Sequence, residues 1–137
     1  MNYLLVSPNF PTSQESFAKR LVEKGVRVLG IGSENYDNLT DGLKNSLTEY
    51  YRVNDLENYE EVLRGVAFLI YKHGVIDRVE SNNEHWLTLD SLIREQFNIP
   101  GVKPKNLDFT KYKSKMKERF IKAKVPVAKG RAVKNIK

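Results

Sequence analysis

The amino-acid sequence predicts a three-layer α/β domain in which helices cover both faces of a parallel sheet. Through the first hundred residues, short apolar runs alternate with helical patterns, and turn residues separate them. Charge divides the chain at about the same point. Residues 103–137 carry 13 Lys and Arg against two acidic residues, whereas residues 1–102 carry 10 basic and 15 acidic ones. The net charge of +6 is therefore the sum of a mildly acidic body and a strongly basic tail.

The first strand, helix and second strand follow one another directly. Residues 3–6 form an apolar run typical of a strand buried on both faces. Thr12 with Glu15 three positions later predicts a capping box that starts a helix ending at Gly25. The second strand is expected at residues 26–31.

Two further strand and helix pairs complete the predicted sheet. A weak helical turn at 39–47 leads to a third strand at 50–53. Asn58 or Asp55 caps a helix that ends at His73-Gly74, although residues 66–71 are also compatible with a buried strand. Residues 75–79 are too charged for a central strand. The last helix of the body carries an apolar face and ends at residues 98–101; that face comprises Trp86, Leu89, Leu92, Ile93 and Phe97.

This order of elements predicts a Rossmann-like sheet with its ligand site beyond the carboxyl ends of the strands. Those ends are residues 7–10, residues 32–35, and either His73-Gly74 or residues 80–84. The loop 7–12 contains no glycine, so a dinucleotide-binding turn is excluded.

Several other function classes are excluded by composition. The chain has no cysteine, which excludes thiolate catalysis, disulfides and cysteine-bound zinc. His73 and His85 are too far apart in sequence to suggest a metal pair, and each is more simply interpreted as a structural residue, so no metal site is expected. The N-terminus has neither a signal peptide nor a membrane span, which favours a cytoplasmic protein.

The basic tail is predicted to form one amphipathic helix beginning at Asn106 or Asp108. Lysines fill most positions between its apolar residues, which are Phe109, Tyr112, Met116, Phe120 and Ala123. The lysines have three interpretations: a solvated face, a site for a nucleoside triphosphate, or a site for nucleic acid. The apolar spacing is that of a buried face. An extended segment is expected at 125–128, with continuation at 131–133.

Residues 111–130 resemble the start of the catalytic fold of ATP-grasp enzymes. A lysine early in a helix is followed by a Met-containing turn and then by a Val-Pro strand start, here Ala123-Lys-Val-Pro-Val-Ala-Lys-Gly130. Lys124 departs from the pattern, because the family usually has Gly there. By the family spacing the matching lysine is Lys113, and the resemblance implies that it approaches the ATP phosphates.

Residues 80–101 also resemble these enzymes, and the first hundred residues look like the preATP-grasp domain at the front of biotin carboxylase and carbamoyl phosphate synthase. The resemblance implies a preATP-grasp domain at 1–104 and an incomplete ATP-grasp domain at 105–137. It also implies an ATP-dependent ligase of the carboxylate–amine or carboxylase type. The candidate acceptor-side residues are Asn9, Glu80, Asn83 and Glu84.

In such a ligase, ATP and Mg²⁺ convert a carboxylate or bicarbonate to an acyl phosphate, which an acceptor nucleophile then attacks. The catalytic residues are expected beyond residue 137, so this chain alone is expected to be inactive and to bind neither cofactor. The alternative is a small nucleic-acid-binding module that uses the basic helix at 108–124. A third interpretation is an oligomerisation domain, such as a homodimer.

Overall fold

The computed structural model describes residues 1–130 and contains a parallel four-stranded sheet in the order β3-β2-β1-β4. The strands are β1 (Asn2–Val6), β2 (Arg27–Gly32), β3 (Glu49–Arg52) and β4 (Arg78–Glu80). The helices are α1 (Gln14–Glu23), α2 (Asp41–Ser46), α3 (Tyr59–His73), α4 (Leu87–Gln96), α5 (Pro104–Lys111) and α6 (Lys113–Lys122), with 3₁₀ turns at Tyr36–Asn38 and Glu84–Trp86. The predicted Rossmann-like class is confirmed.

Alternation along the central strand β1 divides the core into two layers. Leu4 and Val6 pack among the side chains of α3 and α4, whereas Tyr3 and Leu5 pack against α1 and α2. All four side chains are at most 9% exposed, as the continuous apolar run of this strand predicts. The three layers therefore follow from the sequence of β1.

The helix predicted up to His73 is α3, and the alternative of a buried strand at 66–71 is wrong. Its buried residues Val62, Val66 and Leu69 recur at helical spacing, and this single stripe faces the sheet. The chain then returns along the other side of β1 as β4, the edge strand, where only Val79 is fully buried. The expectation that residues 75–79 are too charged for a central strand agrees with this edge position, whereas a strand at 78–80 was not predicted.

Three helices end in the same way, with one residue in the left-handed conformation. Gly25 after α1, Asn98 after α4 and Lys124 after α6 have φ angles of 73°, 51° and 58°. In each case, the N–H of that residue donates to the carbonyl three positions back and the next N–H donates to the carbonyl five positions back, at 2.9–3.3 Å. These are Schellman motifs, in which glycine is the favoured residue.

The predicted single basic helix is wrong, because the chain breaks at Tyr112 into α5 and α6. The extended backbone at Tyr112 (φ −103°, ψ 113°) turns α6 back, and the Arg119 guanidinium lies 3.7 Å from the Phe109 ring centre. In a straight helix residues ten positions apart would be separated by about 15 Å, so this contact requires the break.

The two tail helices differ in how they pack. α5 packs against α4 and buries Leu107, whereas α6 packs mainly on α5 and has no buried residue. Tyr112 and Phe120 are 49% and 44% exposed, so the buried face expected from their spacing is not formed within residues 1–130. Residues 125–130 form no helix or strand, and the predicted extension at 131–133 lies outside the described residues. No helix within residues 1–130 has both the length and the apolar character that crossing a bilayer requires.

Candidate functional site

A cavity of about 220 Å³, lined by both apolar and polar side chains, opens at the carboxyl ends of β1 and β2. Its wall combines the loop after β1, the first turn of α1 and the segment that leads into α2. The lining residues are Pro8, Asn9, Thr12, Glu15, Glu34, Asn38, Leu39, Thr40 and Leu43. Ligands of parallel α/β sheets bind at this edge, so the cavity is the candidate site.

Glu34 is one of two carboxylates in the cavity wall. Its Oε1 accepts hydrogen bonds from the Asn38 side-chain amide at 2.7 Å and from the Asn35 backbone N–H at 2.9 Å. These hydrogen bonds, the Asn38 one foremost, lower the pKa of Glu34 and keep it ionised. Glu34 therefore contributes a fixed negative charge to the site.

The loop that carries Glu34 is held from below by Tyr50. The Tyr50 hydroxyl donates to the Glu34 carbonyl oxygen at 2.8 Å, and burial raises the pKa of Tyr50 to about 12, so this donor stays protonated. Gly32 makes the approach feasible, since a Cβ there would lie 2.6 Å from the Tyr50 oxygen.

Glu15 supplies the second carboxylate, and the predicted capping box with Thr12 is wrong. α1 begins at Gln14 with Ser13 as its N-cap, and no side chain caps it. Glu15 instead accepts a hydrogen bond from the Thr40 hydroxyl across the cavity. The Glu15 carboxylate is thus bound by Thr40, in the loop before α2, and does not cap its own helix. This tertiary contact joins the two walls of the cavity.

The crevice between β1 and β4, where the strand order reverses, is bridged by Gln14. Its side-chain amide donates to the Ser81 carbonyl at 2.5 Å, and its Oε1 accepts from Asn82 at 3.0 Å. Gln14 is 1% exposed. The sequence analysis missed this residue, and a polar side chain at the first turn of a helix gives no signal that distinguishes it from a surface residue.

Glu80, a candidate acceptor-side residue, is already engaged. Its carboxylate lies 2.9 Å from a guanidinium nitrogen of Arg94, whose side chain is 5% exposed. The same nitrogen of Arg94 donates to the Val79 carbonyl at 2.5 Å. Arg94, which the sequence analysis also missed, thus fixes the end of β4 and neutralises Glu80.

Asp90 holds the turn that follows β4. Its Oδ2 accepts from the Ser81 hydroxyl at 2.7 Å and from the Ser81 N–H at 3.0 Å. Burial raises the pKa of Asp90 to about 6, although the Ser81 hydroxyl and the nearby Arg94 act in the opposite direction. The turn therefore depends on a carboxyl group that titrates near neutral pH.

The remaining acceptor-side candidates lie on the far side of this turn. The Asn83 side chain accepts from the His85 N–H at 3.0 Å and so begins the 3₁₀ turn in which Glu84 is exposed. Of the four acceptor-side candidates, only Asn9 lines the cavity.

The sequence left two alternatives for the carboxyl end of the last strand, and the structure places them at opposite edges of the sheet. Glu80 is the last residue of β4 and residues 81–84 follow it at the carboxyl edge, whereas His73 ends α3 at the amino edge. There the His73 ring pairs with Glu49, and its carbonyl accepts from Asn2 at 2.9 Å. His85 packs edge-on against Trp86 and pairs with Glu57 at 2.8 Å. Within residues 1–130, no three His, Asp or Glu side chains converge as a metal site.

Lys113, the candidate phosphate ligand, is the first residue of α6 and is exposed. Other cations of the tail make contacts with the body: the Lys103 ammonium donates to the Ile99 carbonyl at 2.8 Å, and Lys111 donates to the Thr88 hydroxyl at 2.9 Å. Lys115 pairs with Asp108.

Comparison with known proteins shows a similarity in fold only. No protein-family model matches the sequence, and no curated protein matches it. Among solved structures, an L-amino acid ligase from Bacillus licheniformis superposes with a TM-score of 0.61 at 14% sequence identity. The match covers 91% of this chain and 30% of the ligase chain, so this chain spans about a third of that protein's length. The two share an α/β fold.

Proposed function

We propose that this chain is the N-terminal, substrate-side part of an ATP-dependent ligase of the carboxylate–amine or carboxylase type. The observation that carries the proposal is the extent of the structural match. It covers 91% of the chain, so it reaches beyond the sheet into the basic tail that resembles the ATP-grasp start. Because the neighbour is a ligase, fold and motif support the same class.

The backbone at Lys124 supports the tail resemblance independently. The family usually has Gly at this position, and the sequence departs from it. Lys124 nevertheless has φ of 58°, in the left-handed region that glycine favours. The local conformation therefore matches the pattern where the side chain does not.

In the proposed reaction, a carboxylate oxygen attacks the γ-phosphorus of ATP, ADP leaves and an acyl phosphate forms. A nucleophile on the acceptor then attacks the acyl carbon, and inorganic phosphate leaves. Mg²⁺ would neutralise the phosphate charge during transfer. Lys113 supplies an ammonium group on a long exposed stem at the start of α6, which suits a phosphate ligand.

The cavity at the carboxyl edge supplies the acceptor side in this proposal. Glu15 and Glu34 give it negative charge, and Asn9 adds an amide that can donate or accept. A small acceptor with an ammonium group fits this chemistry better than an anionic acceptor does. Glu80 becomes a supporting residue, since Arg94 neutralises it.

Two pairs of variants test the proposal in the ligase of which this chain would form the N-terminal part, assayed for carboxylate-dependent ADP formation. Lys113→Met should raise the KM for ATP, whereas the matched control Lys122→Met, on the last turn of α6, should not. Glu34→Gln should raise the KM for the acceptor, whereas Asp37→Asn in the same loop but outside the cavity wall should not. Equal effects of variant and control would contradict the assignments, and absence of carboxylate-dependent ADP formation would overturn the proposed class.

The isolated chain provides a separate test. By the resemblance, the catalytic residues of the proposed ligase are expected beyond residue 137, so residues 1–137 should bind MgATP only weakly. Calorimetric titration should give a dissociation constant no tighter than about 1 mM. Tighter binding would show that these residues form a nucleotide site by themselves.

A second candidate function rests on the exposed aromatic side chains of the tail. Tyr112 and Phe120 are about half exposed beside the lysines of α6, and such side chains can stack on bases. A nucleic-acid module would lose affinity steeply as salt concentration rises, because several phosphate contacts release counterions. Filter binding of single-stranded RNA and DNA at two salt concentrations distinguishes this function from the ligase proposal, which expects no such binding.

A further inference from the structure

The outer edge of β3 is unpaired within residues 1–130, since β3 is the last strand on its side of the sheet. The Val53 N–H donates to the Gly32 carbonyl of β2 at 2.9 Å, and Tyr51 is in register with Ile31. Because backbone groups alternate in direction along a strand, those of Tyr51 point towards β2, and those of Tyr50 and Arg52 point away from it. β3 contains no proline to block the pairing of another strand.

An aromatic surface on α3 continues this edge. The Phe68 ring packs on the Tyr51 ring, with centres 5.4 Å apart, and remains 42% exposed. One turn further along the helix, Tyr71 is 89% exposed. Strand edge and helix face therefore form one surface, which consists of β3, Arg64, Ala67, Phe68 and Tyr71 and is called the β3–α3 surface below.

We propose that the β3–α3 surface binds a second copy of this chain. The two copies are related by a two-fold axis perpendicular to the sheet, so that β3 pairs with its counterpart in antiparallel orientation and the sheet continues to eight strands. This symmetry is the commonest among homodimers, and it keeps both α3 helices on the same face. The inference is independent of the proposed function.

The position of α3 fits this arrangement. α3 lies above β2 and β3, because a Cβ on Gly65 would lie 2.9 Å from Ile31 and 2.7 Å from Tyr51. Neighbouring strands are about 4.8 Å apart, so the axes of the two α3 helices would be about 10 Å apart across the new strand pair. Packed helices have axes about 8–10 Å apart. The exposed side chains of α3 thus fill the space between the two helices.

The two-fold axis brings the charged and aromatic side chains of one β3–α3 surface against complementary side chains of the other copy. The Tyr51 ring lies against both Gly65 and Phe68, which places the axis near Ala67, between these two positions of α3. Antiparallel helices then bring Arg64 of each copy beside Tyr71 of the other, which favours cation–π contacts. The acidic first turn of each helix also lies towards the basic last turn of the other.

The opposite face of the sheet gives the same kind of pairing. If Tyr51 pairs with Tyr51 of the second copy, then Tyr50 lies opposite Arg52 of that copy. In such an antiparallel pair, directly opposite residues project from the same face of the sheet. Arg52 is exposed. Both faces therefore place an arginine beside a tyrosine, and neither places like charges together.

Sedimentation velocity of residues 1–137 over a range of micromolar concentrations tests the interface. We expect a dimer that dissociates on dilution. Tyr71→Ala should raise its dissociation constant about tenfold or more, because the symmetry removes two contacts at once. The control Val22→Ala, at an exposed apolar position of α1, should leave the constant unchanged.

A charge exchange tests the orientation of the copies. Arg64→Glu alone should weaken the dimer, and addition of Tyr71→Lys should restore it, because each glutamate then meets a lysine of the other copy. Circular dichroism checks that each variant is folded. A monomer at all concentrations, equal constants for Tyr71→Ala and Val22→Ala, or a folded double variant without restored association would overturn the proposal.

Discussion

The Gln14 side-chain amide donates to the Ser81 carbonyl oxygen at 2.5 Å, which joins the first residue of α1 to the turn after β4. Both residues are at most 1% exposed. Asn82 closes the contact from the other side by donating to Gln14. The loops that follow β1 and β4 are therefore held together as one unit at the carboxyl edge of the sheet.

Replacement of Gln14 by leucine should lower the free energy of unfolding by about 1–3 kcal/mol, because the buried Ser81 carbonyl loses this donor. Urea denaturation followed by circular dichroism measures the change. Gln96→Leu, at the exposed end of α4, is the control and should change stability by less than about 0.5 kcal/mol. Equal effects at the two positions would contradict the structural role of Gln14.

Asp90→Asn should remove a pH dependence of stability. The pKa of Asp90 is raised from 3.8 to about 6, so the folded state holds this proton where the unfolded state has lost it. The unfolding free energy of the natural chain should therefore decrease as pH rises from 4 to 6, by up to about 3 kcal/mol from this group.

The difference between the natural chain and Asp90→Asn isolates this contribution, because Glu80, Arg94 and Tyr3 are present in both. Urea titrations at intervals between pH 4 and pH 7 provide the measurement. A constant difference over this range would show that Asp90 has an ordinary pKa in the folded chain.

Gly65→Ala should destabilise the chain by about 1–2 kcal/mol, although alanine is the better helix former. The added Cβ would lie 2.7 Å from the Tyr51 ring and 2.9 Å from the Ile31 side chain, closer than packed atoms approach. Ala67→Gly, two positions further on the exposed side of α3, gives the reciprocal control. There alanine should be favoured by about 0.5–1 kcal/mol. Urea denaturation of the two variants and the natural chain measures both stability changes.

Lys124→Gly should make the end of α6 more stable, because the left-handed conformation costs a side-chain-bearing residue about 1 kcal/mol relative to glycine. Amide hydrogen exchange of Lys124 and Val125, whose N–H groups make the two closing bonds, should slow down by several-fold. Gly25→Ala at the equivalent position of α1 should have the opposite effect on the N–H groups of residues 25 and 26. Unchanged exchange in both variants would contradict the shared Schellman geometry.

Most elements of the body could be predicted from their apolar patterns. The continuous run of β1 fits a strand buried on both faces, whereas the run at 66–71 fitted both a helix and a strand, and only the structure shows the helical stripe of Val62, Val66 and Leu69 against the sheet. The tail was harder, since its apolar spacing continues through Tyr112 and contains no proline or glycine. The contact between Arg119 and Phe109 that accompanies the break is tertiary, and local spacing carries no record of it.

The location of the cavity could be predicted from the sequence, but the roles of its charged residues could not. Parallel topology locates it beyond β1 and β2, and Asn9 follows from that rule. Glu15 was assigned to a local cap, whereas it reaches Thr40, 25 residues away. Glu80 looked available, yet Arg94 from another element neutralises it. In both cases, a contact between distant residues determines the role of a charged side chain.

The separate attachment of α6 has a practical consequence for ligand discovery. Since α6 contributes no buried residue and packs mainly on α5, we expect it to add little to the free energy of unfolding of the sheet and its two core layers. A ligand that binds only the lysines of α6 would consequently leave the melting temperature of the domain almost unchanged. Thermal-shift screening of this chain would report on the cavity at the carboxyl edge and would overlook compounds bound to α6, which call for a direct binding measurement.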